Sequence, residues 1–211
     1  MLTPLDNSLF LEKINLVKTP NQWVYPIFKN GTSTIFNYCQ EHDDFNLIPY
    51  QSSLDIKEIT VFIRNPIERY KSGLQTIVHN LTREHNFLDH ETVGFMIQKY
   101  LFLDMHFLPQ FHWLLNLARV VGSDIPLNFK SIDDIDLIFL NNQRHIPEKK
   151  TNITINKDNF SNLYLQLDEI IFNSIGNTIT FNELLNFIKN DKDARFDEIV
   201  NFPKSLMRIL D

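Results

Sequence analysis

Twice in its first third the chain runs from a short β-prone segment through a cation-bearing polar loop straight into a helix-patterned segment. No other feature limits its possible folds as tightly. The first junction is Trp23-Val-Tyr-Pro-Ile-Phe28, then Lys29-Asn-Gly-Thr-Ser-Thr34, after which Ile35, Tyr38 and Cys39 fall at helical spacing. In the second, Ile59-Thr-Val-Phe-Ile63 is a short, β-branched, buried strand that stops at Arg64-Asn65-Pro66. Pro66 suits the first position of a helix, Asn65 is placed to cap it, and Glu68, three residues on, completes a capping-box pattern. Ile67, Tyr70, Leu74, Ile77, Val78 and Leu81 then mark the expected core face of that helix. Consecutive strand-to-helix units predict an α/β domain, a central parallel sheet flanked by helices. Ligands of such sheets bind outside the carboxyl ends of the strands, where both loops fall.

The rest of the chain is less regular. Val93 to Leu103 carries a helical stripe, Phe111 to Val121 suits either helix or strand, and Ile125 to Phe129 reads as extended. Ser131 to Leu140 reads as a helix behind a Ser cap, and Asn141 to Asn156 as a polar loop. Two late helices follow, one on Phe160, Leu163, Leu167, Ile170 and Ile171, the other on Phe181, Leu184, Leu185 and Ile188, opened by Thr180 with Glu183 three on. The tail from Asp191 is expected to be peripheral. With 211 residues and no repeat, linker or low-complexity stretch, residues 1–211 are expected to form a single domain.

Charge and cysteine content narrow the function. Twenty Lys and Arg against 26 Asp and Glu leave a net charge of −6, which disfavours a nucleic-acid binder working through a globally basic surface. An anionic ligand must be met by a local cluster. The single Cys39 excludes an intramolecular disulfide and any Cys-rich zinc site. His79, His85 and His90 lack the spacing of a helical zinc pair, so no metal is expected. No apolar run reaches the roughly 18 residues that span a bilayer, and Met1 to Phe10 does not read as a signal peptide; the expectation is a soluble, cytoplasmic chain. Asn-x-Thr sequons stand at Asn30, Asn80 and Asn152, but a glycan on Asn30 would block the first loop.

Both loops carry what an anion needs. In the first, Gly31 allows close backbone approach, Thr32, Ser33 and Thr34 sit where helix N-terminal amides lack partners, and Lys29 adds a point charge. It is not a Walker A loop, because Lys29 precedes the glycine. In the second, Arg64 leaves the strand end, and Arg69 and Ser72 share one side of the new helix. Guanidinium forks beside a helix N-terminus suit a phosphate monoester. Arg69 equally suits pairing with Glu68 or another carboxylate.

These residues resemble a family. Phe28-Lys-Asn-Gly-Thr-Ser-Thr34 is similar to the 5′-phosphosulfate loop of sulfotransferases that use 3′-phosphoadenosine 5′-phosphosulfate (PAPS). Val61-Phe-Ile-Arg-Asn-Pro-Ile-Glu-Arg-Tyr-Lys-Ser-Gly73 resembles their 3′-phosphate motif, R-x-P-x-x-R-x-x-S, and is the more specific match. Asp104-Met-His-Phe-Leu-Pro-Gln110 is similar to a pattern of the carbohydrate, chondroitin-type, members, and the resemblance covers the chain as far as Gln110. It implies a P-loop-type sulfotransferase fold, PAPS as donor, the bisphosphate PAP as product and a hydroxyl acceptor, commonly on a sugar. By position, Lys29 and the Asn30 to Thr34 segment would hold the 5′-phosphosulfate, while Arg64 and Ser72, with Arg69 at a motif position, would hold the 3′-phosphate. His106 is the expected base, oriented by Asp104, since an imidazole titrates near neutrality; His42 and Glu68 are alternatives. The basic loop Arg144 to Lys150 is a weaker candidate for contacting donor or acceptor. Two other readings stand beside this one: a P-loop-like nucleotide kinase, which would need magnesium, and a non-catalytic nucleotide-binding module of the same fold.

Overall fold

The computed structural model describes residues 14–27, 29–84, 109–139 and 162–190. In chain order the elements are β1 (Asn15–Lys18), β2 (Trp23–Tyr25), α1 (Thr32–Glu41), β3 (Asn46–Pro49), β4 (Ile59–Ile63), α2 (Pro66–Glu84), α3 (Gln110–Val121), β5 (Pro126–Ser131), a 3-10 helix (Ile132–Leu137), α4 (Asn162–Asn173), β6 (Thr178–Thr180) and α5 (Phe181–Asn190).

The strands form one sheet in the spatial order β3-β1-β2-β4-β5-β6. Its centre is parallel: Tyr25 of β2 lies opposite Val61 of β4, which lies opposite Phe129 of β5. Its flanks are antiparallel, β1 pairing with β2 and β3, and β6 with β5. The α/β class is as expected, but the sheet is mixed, where the sequence predicted a parallel one. The cause lies in the connections. β1 and β2 are joined by a tight turn, in which Thr19 N–H donates to Gln22 O (2.9 Å) and Gln22 N–H to Thr19 Oγ1 (3.0 Å), and so short a turn makes only antiparallel pairs.

All five residues of β4 are buried, because helices cover both faces of the sheet. Side chains alternate along the strand. Ile59, Val61 and Ile63, with Tyr25, Ile27, Leu127 and Phe129, pack on α3, α4 and α5 through Phe111, Leu114, Leu117, Leu167, Ile171, Leu184 and Ile188. Phe62, Val17 and Val24 face the other way, onto Ile35 and Tyr38 of α1 and onto Ile135 and Phe139.

Several local expectations are refined. The Phe111 to Val121 segment is helical (α3), and Ser131 caps a 3-10 helix that ends at Leu137, its Oγ accepting from Asp133 N–H (3.2 Å). The Thr180 capping box closes in both directions: Thr180 N–H donates to Glu183 Oε2 (2.7 Å) and Glu183 N–H to Thr180 Oγ1 (3.2 Å). At α2 only half of the box forms. Asn65 Oδ1 accepts from Ile67 and Glu68 N–H (3.0 and 3.2 Å), but the Glu68 carboxylate accepts from Lys71 Nζ (2.7 Å). The expected inward face of α2 is corrected in its first turns: Pro66, Arg69 and Gly73 are buried, while Ile67 and Tyr70 are only half-buried. The short strands β1, β3 and β6 were not anticipated; runs of three or four residues carry too little alternation to stand out. The expected 93–103 helix, the 141–156 loop and the tail from residue 191 lie outside the described residues. No helix among the described residues is long and apolar enough to cross a membrane.

Candidate functional site

The first loop leaves the carboxyl end of β2 and turns at once. Asn30 N–H and the Thr32 hydroxyl both donate to Ile27 O (3.0 and 2.8 Å), curling the chain into α1. The turn needs positive φ at two places, Lys29 (68°) and Gly31 (77°). Gly31 is the N-cap of α1, and a Cβ there would lie 2.5 Å from Ile135 Cδ1 and 2.8 Å from Ile132 Cδ1. The glycine is therefore required by its backbone conformation and by the 3-10 helix behind it. No side chain caps α1 and its first turn holds no acidic residue, so the amides of Thr32, Ser33 and Thr34 present the positive end of the helix dipole.

The loop's side chains divide the work. Ser33 is exposed and Thr34 half-buried, whereas the Thr32 hydroxyl is committed to Ile27. Lys29 Nζ donates to Thr76 Oγ1 (2.7 Å), whose own hydroxyl donates to Ser72 O (3.0 Å), so the ammonium reaches across to the Ser72–Thr76 turn of α2. Asn30 is fully buried and its Nδ2 donates to Phe62 O (2.8 Å) and Gln110 Oε1 (2.5 Å). Asn30 was expected among the ligand-holding residues; the structure buries the whole residue and commits its side-chain amide to Phe62 and Gln110. The same burial makes its sequon unusable in the folded chain.

The second loop leaves β4 beside the first, as the parallel pairing of β2 and β4 requires. Arg64 is half-buried; its Nη1 donates to Lys29 O at 3.5 Å, a long contact. Burial lowers its pKa, and the charges of Glu68 and Asp133 act against that. Ser72 is half-buried, one turn below Lys29's partner Thr76. Arg69, the other motif arginine, is only 3% exposed. Burial lowers its pKa to about 10, against the charge of Asp168 on α4, so it remains a cation at neutral pH. Arg64 and Arg69, five residues apart, therefore do different jobs: one lies between the loops, the other inside the fold.

Behind both loops lies a buried polar hub that sequence reasoning missed. Gln110, the first residue of α3, receives Asn30 Nδ2 and Arg64 N–H (2.9 Å) on its Oε1, and its Nε2 donates to Arg64 O (3.0 Å) and Asp168 Oδ2 (3.4 Å). Asp168 also accepts the Gln110 and Phe111 amides (3.0 and 3.2 Å), capping α3 from another helix. Burial raises the Asp168 pKa, opposed first by the Arg69 charge and then by these N–H donors. One signal was available: Asp168 shares a helix face with the core residues Leu167 and Ile171, where an unpaired carboxylate would be costly.

The structure thus brings Lys29, Gly31, Ser33, Thr34, Arg64 and Ser72 to one end of the parallel strands, with Thr76 added. Of the two alternative bases, only His42 lies away from this end. His42 caps the opposite end of the ten-residue α1, a length of about 15 Å, and stacks on Tyr38 at 3.9 Å between ring centroids. Glu68 is exposed and tied to Lys71. Asp104, His106 and the 144–150 loop lie outside the described residues. Among the described residues, no group of three or more His, Cys, Asp or Glu is placed to hold a metal ion. No protein-family model, curated protein or solved structure matches the chain.

Proposed function

We propose that the chain is a PAPS-dependent sulfotransferase of P-loop-type fold, moving a sulfuryl group to a hydroxyl, on a carbohydrate by resemblance to the chondroitin-type enzymes. The observation that carries this reading is the meeting of two strand-end loops, with Lys29 reaching α2 through Thr76 and Arg64 reaching back to Lys29. Two cations and an uncapped helix N-terminus at one end of the parallel strands suit a ligand with anions at both ends.

In this reading the α1 amides, Ser33 and Thr34 hold the 5′-phosphosulfate, and Arg64 and Ser72 hold the 3′-phosphate. In the reaction the acceptor oxygen bonds to sulfur as the bond from sulfur to the bridging phosphate oxygen breaks, releasing PAP. Negative charge grows on that bridging oxygen, and Lys29 is the group that stabilises it. His106, oriented by Asp104, takes the acceptor proton; both assignments rest on the resemblance alone. Arg69 is buried beneath the loops, where the Asp168 charge favours its cationic form.

Calorimetric titration with PAP, 5′-AMP and ATP with magnesium tests the proposal. Micromolar, magnesium-independent binding of PAP that depends on its 3′-phosphate and weakens in Arg64→Ala is the expected result. Preference for magnesium ATP would replace it with the kinase reading. Binding of PAP without sulfuryl transfer to any hydroxyl acceptor, unchanged by His106→Ala, would leave a nucleotide-binding module.

A further inference from the structure

Gln110 hydrogen-bonds to both loops from behind them. Its amide meets the peptide of Arg64 at both ends, accepting from Arg64 N–H and donating to Arg64 O, while the same Oε1 takes Asn30 Nδ2 from the first loop. The orientation of that amide is determined, because Asp168 Oδ2 and Arg64 O can only accept and therefore face Nε2. Asp168 in turn holds the Gln110 backbone, so the side chain starts from an anchored Cα.

We infer that Gln110 is a strut setting the separation of the two loops, and that this separation makes the site select ligands with anionic groups at both ends over ligands with one. The inference rests on the reading of the loops as anion sites. A ligand held by one loop is indifferent to where the other stands. A ligand held by both gains its second contact without an ordering cost only if the loops are already spaced for it. Gln110 is thus a positioning residue, acting on selectivity through Asn30 and Arg64 without touching the ligand.

The test compares PAP with 5′-AMP by calorimetry on the wild type and on Gln110→Ala, with near-ultraviolet circular dichroism to establish folding. The expected result is that Gln110→Ala lowers the ratio of PAP to 5′-AMP affinity by about tenfold or more, roughly one good hydrogen-bonded contact, while 5′-AMP binding changes little. A general loss of structure would weaken both ligands together. A folded Gln110→Ala variant that keeps the wild-type ratio overturns the strut and leaves the proposed function standing. A wild type that does not prefer PAP over 5′-AMP overturns the proposed function and the selectivity with it. Hydrogen exchange on the unmodified chain supplies a reading that needs no variant. The Arg64 amide, donated to Gln110, should be protected before ligand is added, and rapid exchange there would overturn a preset spacing.

Discussion

Lys29 and Gly31 both sit at positive φ, yet only one of them is a glycine. A lysine in that region costs on the order of 1–2 kcal/mol relative to glycine, set against its bond to Thr76. Lys29→Gly is accordingly expected to stay within about 1 kcal/mol of wild-type stability, relief of the backbone offsetting the lost bond to Thr76, while PAP affinity falls by tenfold or more. Urea denaturation and calorimetry on the same preparation check both halves. Gly31→Ala should behave in the opposite way. Its Cβ would press on Ile135 and Ile132, and the cost is about 1–3 kcal/mol in the urea midpoint, with the loop displaced as well. The glycine was legible from sequence as a loop residue, but its contact with the 3-10 helix was not, since about a hundred residues separate the partners.

The helices draw their ends from different sources. The capping box of α5 lies within four consecutive residues and is therefore readable directly. Thr180→Ala should cost about 1 kcal/mol, measured as a shift in the denaturant midpoint. The N-cap of α3, Pro109, provides no side-chain cap, and the helix's first two amides go to Asp168 on α4. Asp168→Asn removes the charge facing Arg69 and replaces one acceptor oxygen by a donor amide opposite an N–H. Asp168 is buried and accepts both amides, and a donor amide facing a buried N–H costs about 1–3 kcal/mol, so this conservative-looking change should be more damaging than loss of the α5 cap. Arg69 on α2 is also buried, at 3% exposed. An apolar-stripe reading assigns the core face to Ile67 and Tyr70, whereas Arg69 is the more deeply buried residue, with the Asp168 charge favouring its cationic form.

At the scale of the whole molecule, the sandwich of helices around the sheet buries a histidine as well as the apolar core. His112 on α3 is 2% exposed, and burial, reinforced by the charge of Arg119, lowers its pKa from 6.5 to about 4. The unfolded chain takes up this proton near pH 6.5 and the folded chain does not, so stability is full above that pH and declines as pH falls toward about 4. The decline attributable to this group is on the order of 3 kcal/mol. Urea midpoints from pH 7 to 4, compared with His112→Gln to subtract the carboxylates, should show that slope in the wild type alone. The sequence by itself determined the α/β class, both strand-to-loop-to-helix junctions, the buried β4 and the local caps, because each depends on residues a few positions apart whose periodicity or side-chain reach is visible in one dimension. Only the tertiary structure decided that the sheet is mixed, that Asn30 and Arg69 turn inward, and that Gln110 and Asp168 join the two loops from behind. Those outcomes depend on which polar groups lose water together, and desolvation makes a buried donor or charge seek whichever partner the packing brings within reach, however far away it lies in the chain.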